Sequence, residues 1–166
     1  MKFFLLVFSL IFSTFSIAET WFIKPSSNSQ EEIQEALILA EPGDTIQLAE
    51  GFYKLKHGLS LDVDDVSIVG AGHEKTILNF KDQISSAQGL LVTSNRVVLK
   101  DFAIEDAKGD AVKSKGSDEI SFINLRTEWT NGPDSTNGAY GIYPVESKKV
   151  LIEGCIAIGA SDAGIY

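Results

Sequence analysis

The octapeptide Val97-Val98-Leu99-Lys100-Asp101-Phe102-Ala103-Ile104 sets a pattern that this chain repeats. Its copies, 23 and then a further 30 residues along the chain, are Ile120-Ser121-Phe122-Ile123-Asn124-Leu125-Arg126-Thr127 and Val150-Leu151-Ile152-Glu153-Gly154-Cys155-Ile156-Ala157. Residues 66–70 fit the start of the same pattern. A repeat of about 20 to 50 residues is typical of a solenoid, in which each unit stacks on the next.

A second series of short apolar segments precedes these copies, at residues 89–92, 111–114, 141–144 and 164–166. Each unit therefore contains a first strand, a turn, a second strand, a one-residue corner and a third strand. Side chains alternate along a strand, so each first strand presents one column inward and another outward. The predicted inward column is Leu90, Val112, Ile142 and Ile165, and the outward column is Leu91, Lys113, Tyr143 and Tyr166.

The corner between the second and third strands is occupied by Gly70, Asp101, Asn124 and Gly154 in successive units. These residue types most easily take a positive φ. One unit cannot bury its own apolar face, whereas stacked units bury a continuous core. The predicted fold class is therefore all-β, a right-handed parallel β-helix.

Residues 30–40 form the one segment with good helical spacing, with Ile33 and Leu37 on its apolar face. Ser29 is expected to cap the start of this helix, and the Pro-Gly pair at 42–43 is expected to end it. Terminal repeats of a solenoid need a cap, and exposed sheet edges invite aggregation. We therefore expect an N-terminal helix that covers the open first coil.

Residues 1–18 have the features of a cleaved secretory signal, with a positive charge at Lys2, a short apolar run and a small-residue cleavage site. Cleavage would leave residues 19–166 as one β-helix domain, exported to the periplasm or the extracellular space. No later segment is apolar enough to span a bilayer. Because Tyr166 falls inside a first strand, we expect the domain to be truncated at its C-terminus.

The formal charge of −9 bears on the choice of partners. An acidic protein does not attract nucleic acid or an anionic membrane surface through its bulk charge. Nucleic acid is therefore not expected as a partner, whereas a polysaccharide or a cell-surface glycan is considered below. The composition does not decide the oligomeric state.

Three N-terminal segments carry a family resemblance: Ile33-Gln34-Glu35-Ala36, Gly43-Asp44-Thr45-Ile46-Gln47-Leu48 and Gly51-Phe52-Tyr53. They resemble the start of right-handed parallel β-helix proteins of the pectin-lyase-like type, and the later units resemble parallel β-helix repeat proteins. The resemblance covers about residues 21–166. It implies that the first strands and their flanking loops form a carbohydrate groove. The fold carries lyases, hydrolases, epimerases and non-catalytic adhesins, so it does not by itself imply an activity.

The segment Tyr140-Gly141-Ile142-Tyr143-Pro144-Val145-Glu146 resembles a motif of the mannuronan C5-epimerases. In that motif an acid and a histidine act at the sugar's C5 proton, and here Tyr143 and Val145 stand in their places. A valine neither accepts nor donates a proton, which argues against epimerase chemistry carried by this motif. Tyr143 remains a candidate general acid or base, with Lys113 or Arg126 expected near it, if its ordinary pKa of about 10 is lowered.

The longest unit contains about seven extra residues, at 131–138, and loops on a rigid scaffold often carry function. Aromatic residues flank this polar loop and would suit stacking on sugars; the alternative is a solvated turn pinned by an aromatic residue. The candidate substrate-binding residues are Trp129, Asn131, Asn137, Tyr140, Tyr143 and Tyr166.

Asp106, Asp110 and Asp162 lie on one predicted side of the coil and are candidate calcium ligands, since calcium takes several oxygen ligands. Isolated turn aspartates are the alternative, and no other cofactor is expected.

The sequence favours an exported polysaccharide-binding or polysaccharide-associated protein without an identifiable catalytic centre. One alternative is a lyase or C5-epimerase that acts on a polyuronate. Another is a structural surface or assembly protein.

Overall fold

The computed structural model describes residues 17–166, so nearly all of the predicted signal, residues 1–18, lies outside the described residues. In chain order the helix and strands are β1 (Thr20–Ile23), α1 (Ser29–Leu39), β2 (Thr45–Leu48), β3 (Gly51–Lys54), β4 (His57–Leu61), β5 (Ser67–Val69), β6 (Thr76–Asn79), β7 (Ser85–Val92), β8 (Val97–Lys100), β9 (Ala103–Glu105), β10 (Val112–Lys115), β11 (Asp118–Ile123), β12 (Arg126–Glu128), β13 (Tyr140–Val145), β14 (Lys148–Glu153), β15 (Ile156–Ile158) and β16 (Ala163–Ile165).

The strands form three parallel sheets, which the chain visits in turn as it coils. Sheet I contains the first strands, in the order β4-β7-β10-β13-β16. Sheet II contains the second strands, β1-β2-β5-β8-β11-β14, and sheet III the third strands, β3-β6-β9-β12-β15. From β2 onward, consecutive strands of the chain therefore lie in different sheets, and hydrogen bonds join each strand to its counterpart one coil away. This is a parallel β-helix, as the sequence predicts.

The predicted register is confirmed. Val97 pairs with Ile120, and Ile120 with Val150, in sheet II. In sheet I, Leu90 pairs with Val112 and Val112 with Ile142. The inward columns are buried, with Leu90, Val112 and Ile142 each 1% exposed or less. Ile165 continues that column but is 47% exposed because it lies in β16, the edge strand.

The corners follow the predicted residue types, with one difference. Asp101, Asn124 and Gly154 have φ of 60°, 49° and 64°. The side chain of Asn124 donates to the carboxylate of Asp101 one coil below, at 3.0 Å. Gly70 has no positive φ; it lies so close to the next coil that a Cβ would overlap the carbonyl oxygen of Asp101. At three corners the residue type is therefore explained by the positive φ, and at Gly70 it is explained by the close approach of the next coil.

Helix α1 covers one end of the coil, as expected, and buries Ile33 and Leu37 to 1% and 0% exposure. Its N-cap residue is Asn28, which makes no side-chain cap hydrogen bond, so the predicted cap at Ser29 is wrong. Ser29 is already helical, and its hydroxyl exchanges hydrogen bonds with the backbone of Ser26, at 2.8 and 2.9 Å. Within the described part of the chain, no helix is long and apolar enough to cross a membrane.

Candidate functional site

A cluster of three tyrosines lies on the outer face of sheet I. The ring centroids of Tyr140 and Tyr143 are 4.5 Å apart, and those of Tyr143 and Tyr166 are 5.7 Å apart. Tyr140 and Tyr166 are stacked, with centroids at 4.9 Å and planes 17° apart. The sequence-predicted outward column therefore carries contiguous aromatic surface at this end of sheet I.

Lys113 adds a cation to this cluster. It pairs in register with Tyr143, and its Nζ lies 4.7 Å from the centroid of that ring. Asp110 lies 3.5 Å from the same Nζ and restrains it. A cation over an aromatic face is attracted by the ring quadrupole, which holds Lys113 beside Tyr143. A ligand that contacts the Tyr143 ring would therefore also lie close to the lysine. Tyr143 and Lys113 are brought together as the sequence predicts.

Tyr140 is held from the other side of the cluster by Asp162. A hydrogen bond to the Asp162 carboxylate, with some burial, raises the pKa of Tyr140 above its ordinary value. A carboxylate that accepts from the phenol favours the neutral form, because the phenolate would face a second negative charge. Tyr140 is therefore a hydrogen-bonding and aromatic group at neutral pH.

Arg126 lies away from this cluster, which corrects the expectation that it is close to Tyr143. It belongs to β12 in sheet III, because the corner at Asn124 turns the chain off sheet II before Arg126. Its guanidinium donates to Glu105 at 2.8 Å and also pairs with Glu128. Burial alone would lower the pKa of Arg126, but these carboxylates raise it. Arg126 is thus a structural cation between two strands of sheet III.

The loop between β12 and β13 is held in place by hydrogen bonds from the side chains of Trp129 and Asn137. Trp129 is only 4% exposed, and its indole N–H donates to the carbonyl of Ala107 at 2.7 Å. The Trp129 ring packs under the loop and also lines the smaller of the two cavities described below, so stacking of this ring on a sugar stays a prediction. The side-chain amide of Asn137 donates to Gly132 and Gly159 carbonyls at 2.9 and 2.7 Å, which fixes the loop, whereas Asn131 is exposed.

The three candidate calcium ligands have separate partners. The Asp106 carboxylate accepts from the backbone and hydroxyl of Thr130, at 2.7 and 2.8 Å. Asp110 faces Lys113 and Asp162 faces Tyr140. Across residues 17–166, no group of three His, Cys, Asp or Glu side chains is arranged to hold a metal ion. Calcium binding at these aspartates stays a prediction.

Two adjoining cavities lie on the sheet III side, at the turns that follow its strands. The larger, of about 420 Å³, is lined by residues that include Phe52, Lys54, Lys56 and Lys81. The smaller, of about 170 Å³, shares Lys81 and Asp106 with it and continues to Lys108 and Asn131. Sequence reasoning missed these lysines. The available signal was a lysine that recurs two or three residues after the third strand in successive coils.

Comparisons with known proteins place the fold. No protein family and no curated protein matches the sequence. Among solved structures, the chain is similar to AlyGC, a PL6 family alginate lyase, with 14% identity and a TM-score of 0.57 over 89% of this chain and 21% of that one. It is also similar to a pectin methylesterase in complex with a hexasaccharide, with 12% identity and a TM-score of 0.54 over 86% of this chain and 55% of that one.

The chain thus spans about a fifth and about half of the lengths of these two proteins. At such low identity, the similarity concerns the fold. It agrees with the three parallel sheets and with the strand pairing between successive coils. The protein has the fold of a right-handed parallel β-helix.

Proposed function

We propose that this protein binds a polysaccharide and that the tyrosine cluster on sheet I contacts the sugar. The observation that carries the proposal is the contact of the Tyr143 ring with Tyr140, Tyr166 and the Lys113 cation. Aromatic side chains combine a large apolar face with a polar hydroxyl, which suits the mixed surface of a sugar ring. Lys113 would in addition favour a sugar that carries a carboxylate.

The structural relatives support the same class of ligand. One is named an alginate lyase, and the other is a pectin methylesterase solved with a hexasaccharide. Alginate and pectin are both acidic polysaccharides. An acidic glycan on this protein would have to overcome the formal charge of −9, which makes local cations such as Lys113 important for binding.

Calorimetric titration with hexaguluronate, hexagalacturonate and neutral maltohexaose tests the proposal. Tyr143→Leu is expected to weaken binding by about threefold to tenfold, the range of one aromatic contact. Phe22→Leu is the matched control, because Phe22 is an exposed aromatic residue with Lys24 5.7 Å from its ring centroid, but it lies on β1 in sheet II. Equal losses in both variants would contradict a site on sheet I. If the wild-type protein binds none of these glycans, the structural or assembly role is favoured instead.

A carbohydrate-active enzyme, a lyase or C5-epimerase acting on a polyuronate, is the second candidate. The placement of Lys113 beside Tyr143 favours it, because a nearby cation stabilises negative charge that develops on the sugar. The assay follows absorbance of unsaturated chain ends and exchange of the C5 proton, with and without calcium. A signal that is lost in Tyr143→Phe would establish catalysis and overturn the binding-only proposal.

Export is part of the proposal and rests on residues 1–18. Fusion of this segment to a reporter that is active only outside the cytoplasm tests it directly. Activity of the reporter, with a shortened mature chain, is the expected result. A cytoplasmic reporter of uncleaved size would contradict export.

A further inference from the structure

Four exposed lysines lie along one side of the solenoid in three successive coils. Lys54 ends β3, Lys56 follows it, and Lys81 and Lys108 follow β6 and β9. The strands that precede these lysines end in register, because Lys54, Asn79 and Glu105, the last residues of β3, β6 and β9, pair with one another in successive coils. The turns that carry Lys56, Lys81 and Lys108 therefore begin at equivalent positions. Among the described residues, none of the four lysines forms an ion pair with a carboxylate.

These lysines line the two adjoining cavities, which we call the lysine groove and define by Phe52, Lys54, Lys56, Lys81, Lys108 and Asn131. Three acidic residues also line it: Asp82, Glu105 and Asp106. Glu105 pairs with Arg126 at 2.8 Å, and Asp106 accepts three hydrogen bonds from Thr130 and one from Asn79, which orient its carboxylate without removing its charge. Four ammonium groups therefore face three carboxylates in this groove, on a protein whose total charge is −9.

The dimensions of the groove favour an extended ligand. Neighbouring coils are about 4.8 Å apart, so Lys56 and Lys108 lie roughly 10 Å apart along the solenoid axis. A small anion could bridge at most two neighbouring ammonium groups, about 4.8 Å apart, whereas a chain with repeated charges could contact them all. Phe52, which is 46% exposed, adds an apolar surface at one end. Ring carbons of a sugar would cover this surface, and a bare phosphate or sulfate would not.

From these features we propose that the lysine groove binds a carboxylated oligosaccharide, with carboxylates on successive sugars facing Lys56, Lys81 and Lys108. The inference rests on the proposed polysaccharide-binding function, but it concerns a surface on the sheet III side, separate from the tyrosine cluster. It also specifies the class of glycan, because a neutral chain would leave the lysines without counter-charges.

The test is calorimetric titration of the protein with hexaguluronate and with maltohexaose at low ionic strength. The variant Lys81→Gln/Lys108→Gln is expected to bind hexaguluronate about tenfold more weakly, at roughly threefold for each exposed ion pair. The matched control is Lys75→Gln/Lys148→Gln. Both of its lysines are exposed and form no ion pair with the described residues, and the variant removes the same total charge outside the groove and outside sheet I. It is expected to bind within about twofold of the wild type.

The outcomes separate this inference from the proposed function. If Tyr143→Leu weakens binding and the groove variant does not, the glycan uses sheet I alone and the inference is overturned. If the groove variant weakens binding and Tyr143→Leu does not, the groove stands without the tyrosine site. Equal affinity for maltohexaose, no loss of affinity at higher salt, or tighter binding of a single-stranded oligonucleotide than of hexaguluronate would each overturn the assignment to a carboxylated glycan.

Discussion

The side chain of Gln34 hydrogen-bonds both backbone groups of Ser60: it accepts from the N–H at 2.9 Å and donates to the carbonyl at 3.0 Å. Ser60 lies in β4, the edge strand of sheet I, so Gln34 supplies the pairing that another strand would give. Gln30 accepts from the N–H groups of Lys56 and His57, both at 3.0 Å. Helix α1 thus covers the edge by hydrogen bonding as well as by burying Leu37.

Gln34→Ala is expected to lower the free energy of unfolding by about 1 kcal/mol, because the side-chain hydrogen bonds to Ser60 are lost. It should also increase aggregation on heating, because an open edge strand pairs with other chains. Chemical denaturation and light scattering measure the two effects. Glu35→Ala, on the same helix, is the control for helix propensity. Equal behaviour of the two variants would mean that the amide does not protect the edge.

Arg126→Met is expected to destabilise the fold by about 3–5 kcal/mol, since Glu105 would be left buried without its cation. Urea denaturation measures the loss. Arg96→Met is the contrasting variant: Arg96 pairs with Asp64 and Asp65 in an exposed setting, where solvent replaces the lost partner. A loss for Arg126→Met no larger than that for Arg96→Met would show that water reaches Glu105.

Trp129→Phe is expected to cost about 1–3 kcal/mol, because the buried carbonyl of Ala107 loses its donor and the smaller ring leaves space under the loop. The midpoint of denaturant unfolding is the measurement. Asn131→Ala, at an exposed position in the same loop, is expected to leave stability nearly unchanged. If Trp129→Phe lowered glycan affinity without lowering stability, the ring would have a binding role that its burial argues against.

Asp44 should contribute to the dependence of stability on pH. Burial would raise the pKa of its carboxyl, but hydrogen bonds from the N–H groups of Glu41 and Glu19 and from the Trp21 indole hold it below the ordinary 3.8. A depressed pKa in the folded state gives stability that is complete above the unfolded pKa and is lost as pH falls through the folded value. The stability gap between wild type and Asp44→Asn should therefore be largest near neutral pH and shrink below 3.8. A gap that stays constant in acid would contradict this linkage.

The register of the coils was predictable because each copy of the repeat must bury the same positions. Leu99 and Phe122 fall in one column, and the structure pairs them directly. Gly70 shows the limit of that reasoning. Its residue type was consistent with a positive φ, but the close approach to Asp101 explains it, and sequence gives no distance between coils.

The candidate site was predictable only in part. Lys113 and Tyr143 share a column within one sheet, so strand alternation was enough to bring them together. Arg126 was misplaced because it lies beyond a corner, on a sheet that faces another direction. The burial of Trp129 was not predictable, because the inserted loop interrupts the repeat at the residue whose ring direction is in question. The lysine groove was missed because most of its lysines follow the third strands in turns, at two residues past the strand in two coils and three in the next, so they do not fall in one register column.

Successive coils of the solenoid repeat at a fixed distance along its axis, and so do the side chains on its surface. Lys56, Lys81 and Lys108 each follow a strand of sheet III, and those strands pair with a spacing of about 4.8 Å, so one lysine is offered per coil along the axis. A linear polymer of comparable repeat that slips by one step meets a row of the same kind. If the lysine groove binds a glycan as proposed, a long chain has several equivalent alignments on it and can move lengthwise without leaving the protein.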